Sequence, residues 1–233
     1  MPDAQTLKSA GHPVAHQPGE DEFRRAVAEM DTGMSALRDL RPDLAFEPEP
    51  PPRRLAPLAH AVAATVFGSP GPADADDTEA GSGDAELGSG KFILLFDAAG
   101  QPGWDGKYRI IGYVQAELEP EMTVDPLINE VGWSWLTEAL DTRSSGYRKI
   151  SGTVTTVATQ GFGSKADEPT STSFELRASW SPVMVGSQAG DGDSAELDAH
   201  VAAWCDVICR AAGLPPIAPG VTAFRAPRRW SRP

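Results

Sequence analysis

The first residues with the types and spacing to do chemistry are acidic. Glu117, Glu119 and Glu121 alternate through the segment ELEPEM, and Asp125 follows close behind. Paired carboxylates can exchange protons with a substrate or hold a cation. The same pattern suits a solvated strand end, because carboxylates are seldom buried. His200, Cys205 and Cys209 have side chains that suit zinc, but on one helix they do not share a ligand face. The two cysteines, four apart on that helix, lean the same way, a poor geometry for a disulfide. Gly90-Lys91 closes a glycine-rich stretch, yet a phosphate loop needs glycine at 85 and a hydroxyl at 92, where the chain has Ala85 and Phe92. Asp74-Ala75-Asp76 opens like a calcium loop, but Glu79 replaces the turn glycine and Ala85 the bidentate acid. There is no G-x-S-x-G elbow, and His60 and His200 are the remaining candidate bases. The expectation is therefore no catalytic residue, no cofactor and no metal.

Two further groups point to recognition. Trp133 and Trp135 are two apart on an expected helix, so they lie on different sides of it. Both can serve the core, or one can anchor a protein interface. After Leu214 the chain carries Arg225, Arg228, Arg229 and Arg232 with Phe224 and Trp230, and no acid. Such a tail can stack on RNA or dock on an acidic protein surface, its own or a second subunit's. Trp133, Trp135, Arg225, Arg228, Arg229 and Trp230 form the candidate interaction surface. Glu117, Glu119 and Glu121 form the candidate carboxylate cluster.

The elements that must position these residues read as follows. Phe23, Val27, Met30, Met34 and Leu37 recur at helical spacing over 20–40, and Pro42 ends that segment. EPEPPP (47–52) reads as an extended spacer. Residues 55–67 fit one face of a strand, with a helix as the alternative. Residues 68–90 carry six acids and little apolar surface, which predicts a floppy acidic loop. Strands are expected over 91–97 and 107–118, joined by the turn-rich 98–106. Asp125-Pro126 reads as the start of a helix to about Asp141, apolar nearly all round. Residues 147–160 form a Thr/Val-rich strand. Over 172–181, Phe174, Leu176, Ala178 and Trp180 share one face, and Ser173, Glu175, Arg177 and Ser179 the other. Asp193 and Glu196 have capping-box spacing before a helix over 194–212, which Gly213 stops.

This order, α-β-β-β-α-β-β-α, predicts an α+β single domain with a largely antiparallel sheet of about five strands and three helices. If 55–67 were helical the sheet would have four strands. The domain is placed at 20–218, with a disordered leader at 1–19 and a basic Pro/Arg tail at 219–233. The order resembles that of the small dimeric chaperones of type III secretion, a likeness of fold alone.

The 233 residues hold 20 Lys+Arg against 33 Asp+Glu, a formal charge of −13, and 40% are hydrophobic. These values exclude a collagen-like fibre and a wholly disordered chain. The net field repels phosphate, so nucleic acid is expected only at the basic tail. The longest apolar run, Phe92 to Phe96, is too short for a membrane span. No signal-like segment opens the sequence, so a cytoplasmic setting is expected.

FILLFD (92–97), ELEPEM (117–122), EVGWSWLTEAL (130–140), SGTVTTVATQGFG (151–163), RLAP (54–57) and RASWSP (177–182) resemble an uncharacterised actinobacterial family, domain of unknown function 3000. The resemblance covers roughly residues 20–213. It implies no activity, substrate or site residue. The resemblance also implies a frequent genomic neighbour, since members of that family are often encoded beside a ribonuclease-D-like exonuclease, which is association and not mechanism. The expected function is a cytosolic, non-enzymatic protein-interaction or chaperone-like module, as a homodimer or with another protein. The alternative is an enzyme or accessory factor in RNA processing that uses the Glu117, Glu119, Glu121 cluster.

Overall fold

The computed structural model describes residues 19–68, 85–118, 122, 125–144, 146–167, 170–186 and 193–216. The elements are α1 (Glu20–Leu40), β1 (Leu44–Glu49), β2 (Leu58–Phe67), β3 (Glu86–Gln101), β4 (Gly106–Glu117), α2 (Ile128–Arg143), β5 (Tyr147–Thr159), a 3-10 turn (Gly163–Lys165), β6 (Ser171–Pro182), β7 (Val185–Gly186), β8 (Asp193–Ser194) and α3 (Leu197–Ala211). Six strands form one open antiparallel sheet in the order β1-β2-β3-β4-β6-β5, and β7 pairs with β8. The α+β class, the antiparallel sheet and the three helices agree with the sequence reading.

All three helices lie on one face of the sheet, α3 packing against both α1 and α2. The alternation of the strands dictates this. Val62, Ala64 and Val66 of β2, Phe92, Leu94 and Phe96 of β3, Ile110 and Val114 of β4, and Phe174, Leu176 and Trp180 of β6 join one buried cluster with α3. Its centre is aromatic: Phe92 meets Trp180 edge-on at 6.3 Å and Trp204 at 5.5 Å between ring centroids. Both indoles are satisfied, Trp204 Nε1 donating to Tyr113 O at 3.0 Å and Trp180 Nε1 to His200 Nδ1 at 3.3 Å.

Several local expectations are corrected. A sixth strand, β1, occupies 44–49 and takes in the first half of the spacer expected at 47–52. Pro48 is tolerated there because β1 is an edge and needs no donor on its outer side. The helical alternative for 55–67 is overturned, since β2 pairs with both β1 and β3. The end of the expected acidic loop is strand: β3 starts at Glu86. Its glycines serve close packing, because a Cβ on Gly90 would lie 2.9 Å from Trp204 and 3.0 Å from Ile208. Helix α2 starts at Ile128, two residues later than the expected first helical position at Pro126, because Asp125 first caps a turn by accepting from Leu127 N at 2.8 Å. Helix α3 begins at Leu197, so Asp193 does not hold the N-cap position that the capping-box reading gave it. Glu196 itself takes the N-cap at φ 47°, and its N–H bonds Ser194 Oγ at 3.0 Å. Residues 1–18, most of 68–90 and the tail from 217 lie outside the described residues.

Candidate functional site

The structure does not assemble the candidates singled out by sequence. Glu117 is exposed at the end of β4, opposite Ser173, and Glu119 and Glu121 lie outside the described residues. His60 pairs with Leu94, which in turn pairs with Ile110, both on the helix-covered face, whereas Glu117 alternates onto the other. His200 is buried, and burial holds its imidazole down at about 4, neutral. Burial pushes the Cys205 thiol well up and the Cys209 thiol to about 11, so neither is a ready nucleophile. Among the described residues, no three His, Cys, Asp or Glu side chains cluster to hold a metal. Trp133 and Trp135 are half-buried against the core, Trp135 tilted on Phe174 at 5.6 Å and Trp133 packed where Gly152 has no Cβ. Arg225, Arg228, Arg229 and Trp230 lie outside the described residues.

What the fold builds instead is on the sheet face without helices. Leu95 and Ala61 are both 3% exposed, yet neither belongs to the main core. Leu95 lines a cleft of about 520 Å³ with Leu55, Trp104 and Ile111, within the usual range for small-molecule sites. Leu55 comes from the β1–β2 connection, and Trp104 from the β3–β4 turn. The strand register does the assembly. Leu95 faces Arg109 across β3 and β4, and Ile111, two residues along β4, faces Ser179 of β6.

Arg109 sits in the cleft wall with its guanidinium fixed. Nη1 donates to Lys149 O at 2.9 Å and Ser181 Oγ at 3.3 Å; Nη2 donates to Ser179 O at 3.2 Å and Ser179 Oγ at 2.6 Å. All four contacts are to neutral oxygens, so the charge has no carboxylate partner among the described residues. A guanidinium carries five N–H donors, and the Nε–H is left over. Loss of solvent lowers the Arg109 pKa from its usual value, though a guanidinium keeps its charge at any physiological pH. Arg177, also on the cleft, differs: it pairs with Glu175 at 2.8 Å and lies over the Tyr113 ring at 5.5 Å.

The cleft is also where the backbone is strained. Four described non-glycine residues have positive φ, and three adjoin it: Arg54 (74°), Asp105 (58°) and Lys149 (52°). Each costs about 1–3 kcal/mol and persists where its surroundings hold it, commonly at functional sites. Lys149 sits in a β-bulge, where the β5–β6 register shifts between Arg148 and Ser151. Such bulges re-aim groups beside active sites, and this one turns the Lys149 carbonyl onto Arg109. Arg148 reaches Asp105 at 3.4 Å, tying the bulge to the Trp104 turn.

The comparisons agree with the sequence. The profile of a family described as Protein of unknown function (DUF3000) matches residues 19–222, most of the chain. The chain belongs to DUF3000. No curated protein and no solved structure matches it. In this DUF3000 protein, no described helix is long and apolar enough to cross a membrane. Sequence reasoning missed the cleft of this DUF3000 member because its residues come from four separate stretches. The available signals were a tryptophan in a hairpin turn, Trp104, and two arginines, Arg109 and Arg177, on the polar sides of otherwise alternating strands.

Proposed function

We propose that this DUF3000 protein is a non-enzymatic binding module whose working surface is the uncovered face of its sheet, centred on the Leu95–Trp104–Arg109 cleft. The observation that carries this reading is Arg109: an anchored charge without a counter-charge among the described residues, in an open cleft of about 520 Å³ with a mixed apolar and polar lining. A group prepared in this way gains when a ligand arrives. The ionisable side chains among the described residues lining the cleft are Arg109 and Arg177 alone, neither of which serves as a general base near neutral pH. The module acts in the cytosol, where its two buried thiols stay reduced. The carboxylate-cluster alternative has no comparable support.

The test is a titration of the isotope-labelled full chain with N-phenylnaphthylamine (NPN), an uncharged aromatic probe of suitable size. Amide shifts should gather on Leu95, Trp104, Ile111 and Ser151 to Thr153. Shifts centred on α2 around Trp133 and Trp135 would move the working surface to the helical side and overturn the reading.

A further inference from the structure

We infer that the cleft selects a small organic acid, one anionic head on an apolar, ring-sized body. This rests on the reading of the cleft as the working surface. Two features of the site specify the two halves of the ligand. The apolar half follows from Leu55, Trp104 and Ile111, which with the buried Leu95 beneath them lie outside the main core cluster and offer a hydrophobic and aromatic lining. The charged half follows from Arg109. Its four bonded N–H positions are spent on holding it still, and the Nε–H is the donor left for a ligand oxygen. The Ser179 hydroxyl accepts from Nη2, which leaves its proton to donate to the same anion.

The charge count limits the head to one negative charge. Arg177 is already neutralised by Glu175, so among the described residues lining the cleft Arg109 is the one cation without a carboxylate. A dianion would bring one charge too many into a protein of net charge −13. A neutral ligand would leave the guanidinium half-desolvated and uncompensated, a penalty that discriminates against it. The strained Lys149 backbone fits this picture, because its carbonyl holds the guanidinium in place before any ligand arrives.

The experiment compares two probes that differ by one group: anilinonaphthalene sulfonate (ANS), which carries an anion, and NPN, its uncharged parent. NPN is the more apolar, so a merely greasy cleft binds it better. We expect ANS to bind the full chain about tenfold more tightly than NPN, the range of a charge-assisted hydrogen bond. Arg109→Gln should remove that preference and leave NPN binding within about twofold. Arg24→Gln, which removes a paired charge on α1 away from the cleft, should leave both affinities within about twofold. The wild-type ratio of the two probes stands even if Arg109→Gln does not fold. NPN binding as tightly as ANS, with no change in Arg109→Gln, would overturn the anion inference and leave the cleft as the binding surface. Failure of both probes to bind would remove the underlying reading itself.

Discussion

On β6, Phe174, Leu176, Ala178 and Trp180 are buried under the helices, while Ser173, Glu175, Arg177 and Ser179 alternate with them on the uncovered face. The same backbone thus carries two surfaces of different character. Under the helices, polar groups are few and mostly satisfied: Trp180 bonds His200, Trp204 bonds a backbone carbonyl, and Asp206 is clasped by Arg143, while the buried Thr172 hydroxyl has no partner among the described residues. Glycines there let elements approach, as at Gly33, where a Cβ would lie 2.6 Å from Asp198 Cα. On the uncovered side the polar groups are more numerous, Arg109 has no carboxylate partner among the described residues, and three of the four described strained residues adjoin the cleft. The comparison teaches that strand parity divides the sheet: helix-facing positions maintain the fold, and their neighbours form the surface proposed for binding.

The strongest way to break this separation is Trp180→Ala. Trp180 is fully buried, and its truncation should cost about 3–5 kcal/mol in denaturant melts. A loss near that of a surface site would mean that the sheet is inside out. Next is acid sensitivity. Burial holds His200 at about 4, against an ordinary value near 6.5, so the fold keeps it neutral while the unfolded chain takes up a proton. Its contribution is fully present above about pH 6.5 and is lost as pH falls towards 4. Between pH 7 and pH 4.5 the wild type should lose about 2–3 kcal/mol that His200→Gln does not lose. Parallel pH curves for the two proteins would contradict the buried neutral imidazole.

A smaller effect is expected at the seam between the faces. A Cβ on Gly152 would collide with the Arg177 carbonyl and lie 2.8 Å from Trp133. Gly152→Ala should cost about 1–3 kcal/mol through overpacking, read from the midpoint of unfolding. No loss would show that α2 can slide away from β5. The smallest effect belongs to Arg177→Ala. Its side chain is 65% exposed, and the change should stay within about 0.5 kcal/mol. A loss comparable to that of Trp180→Ala would erase the distinction between the faces.

Much of the covered face was legible in the chain. The alternation of β4 and β6, and the apolar stripe of α3, follow from local periodicity. What was missed depends on contacts far apart in sequence. β1 was hidden by Pro48 and Pro50, which oppose a central strand and not an edge. Gly88 and Gly90 read as flexible until α3 was seen against them. The cleft was illegible for the same reason. Arg109, Lys149, Ser179 and Ser181 meet only through the β4–β6–β5 register and a bulge held at a lysine. Conversely, the carboxylates of ELEPEM stood out because they are close in sequence, and the one that is described points to solvent.

The most direct test of the account is a crystal structure of the full chain with ANS. The account predicts the aromatic rings on Leu95 and Trp104, with a sulfonate oxygen within hydrogen-bond distance of Arg109 Nε and Ser179 Oγ. Rings seated between α2 and α3, or a sulfonate pointing to solvent away from Arg109, would contradict it.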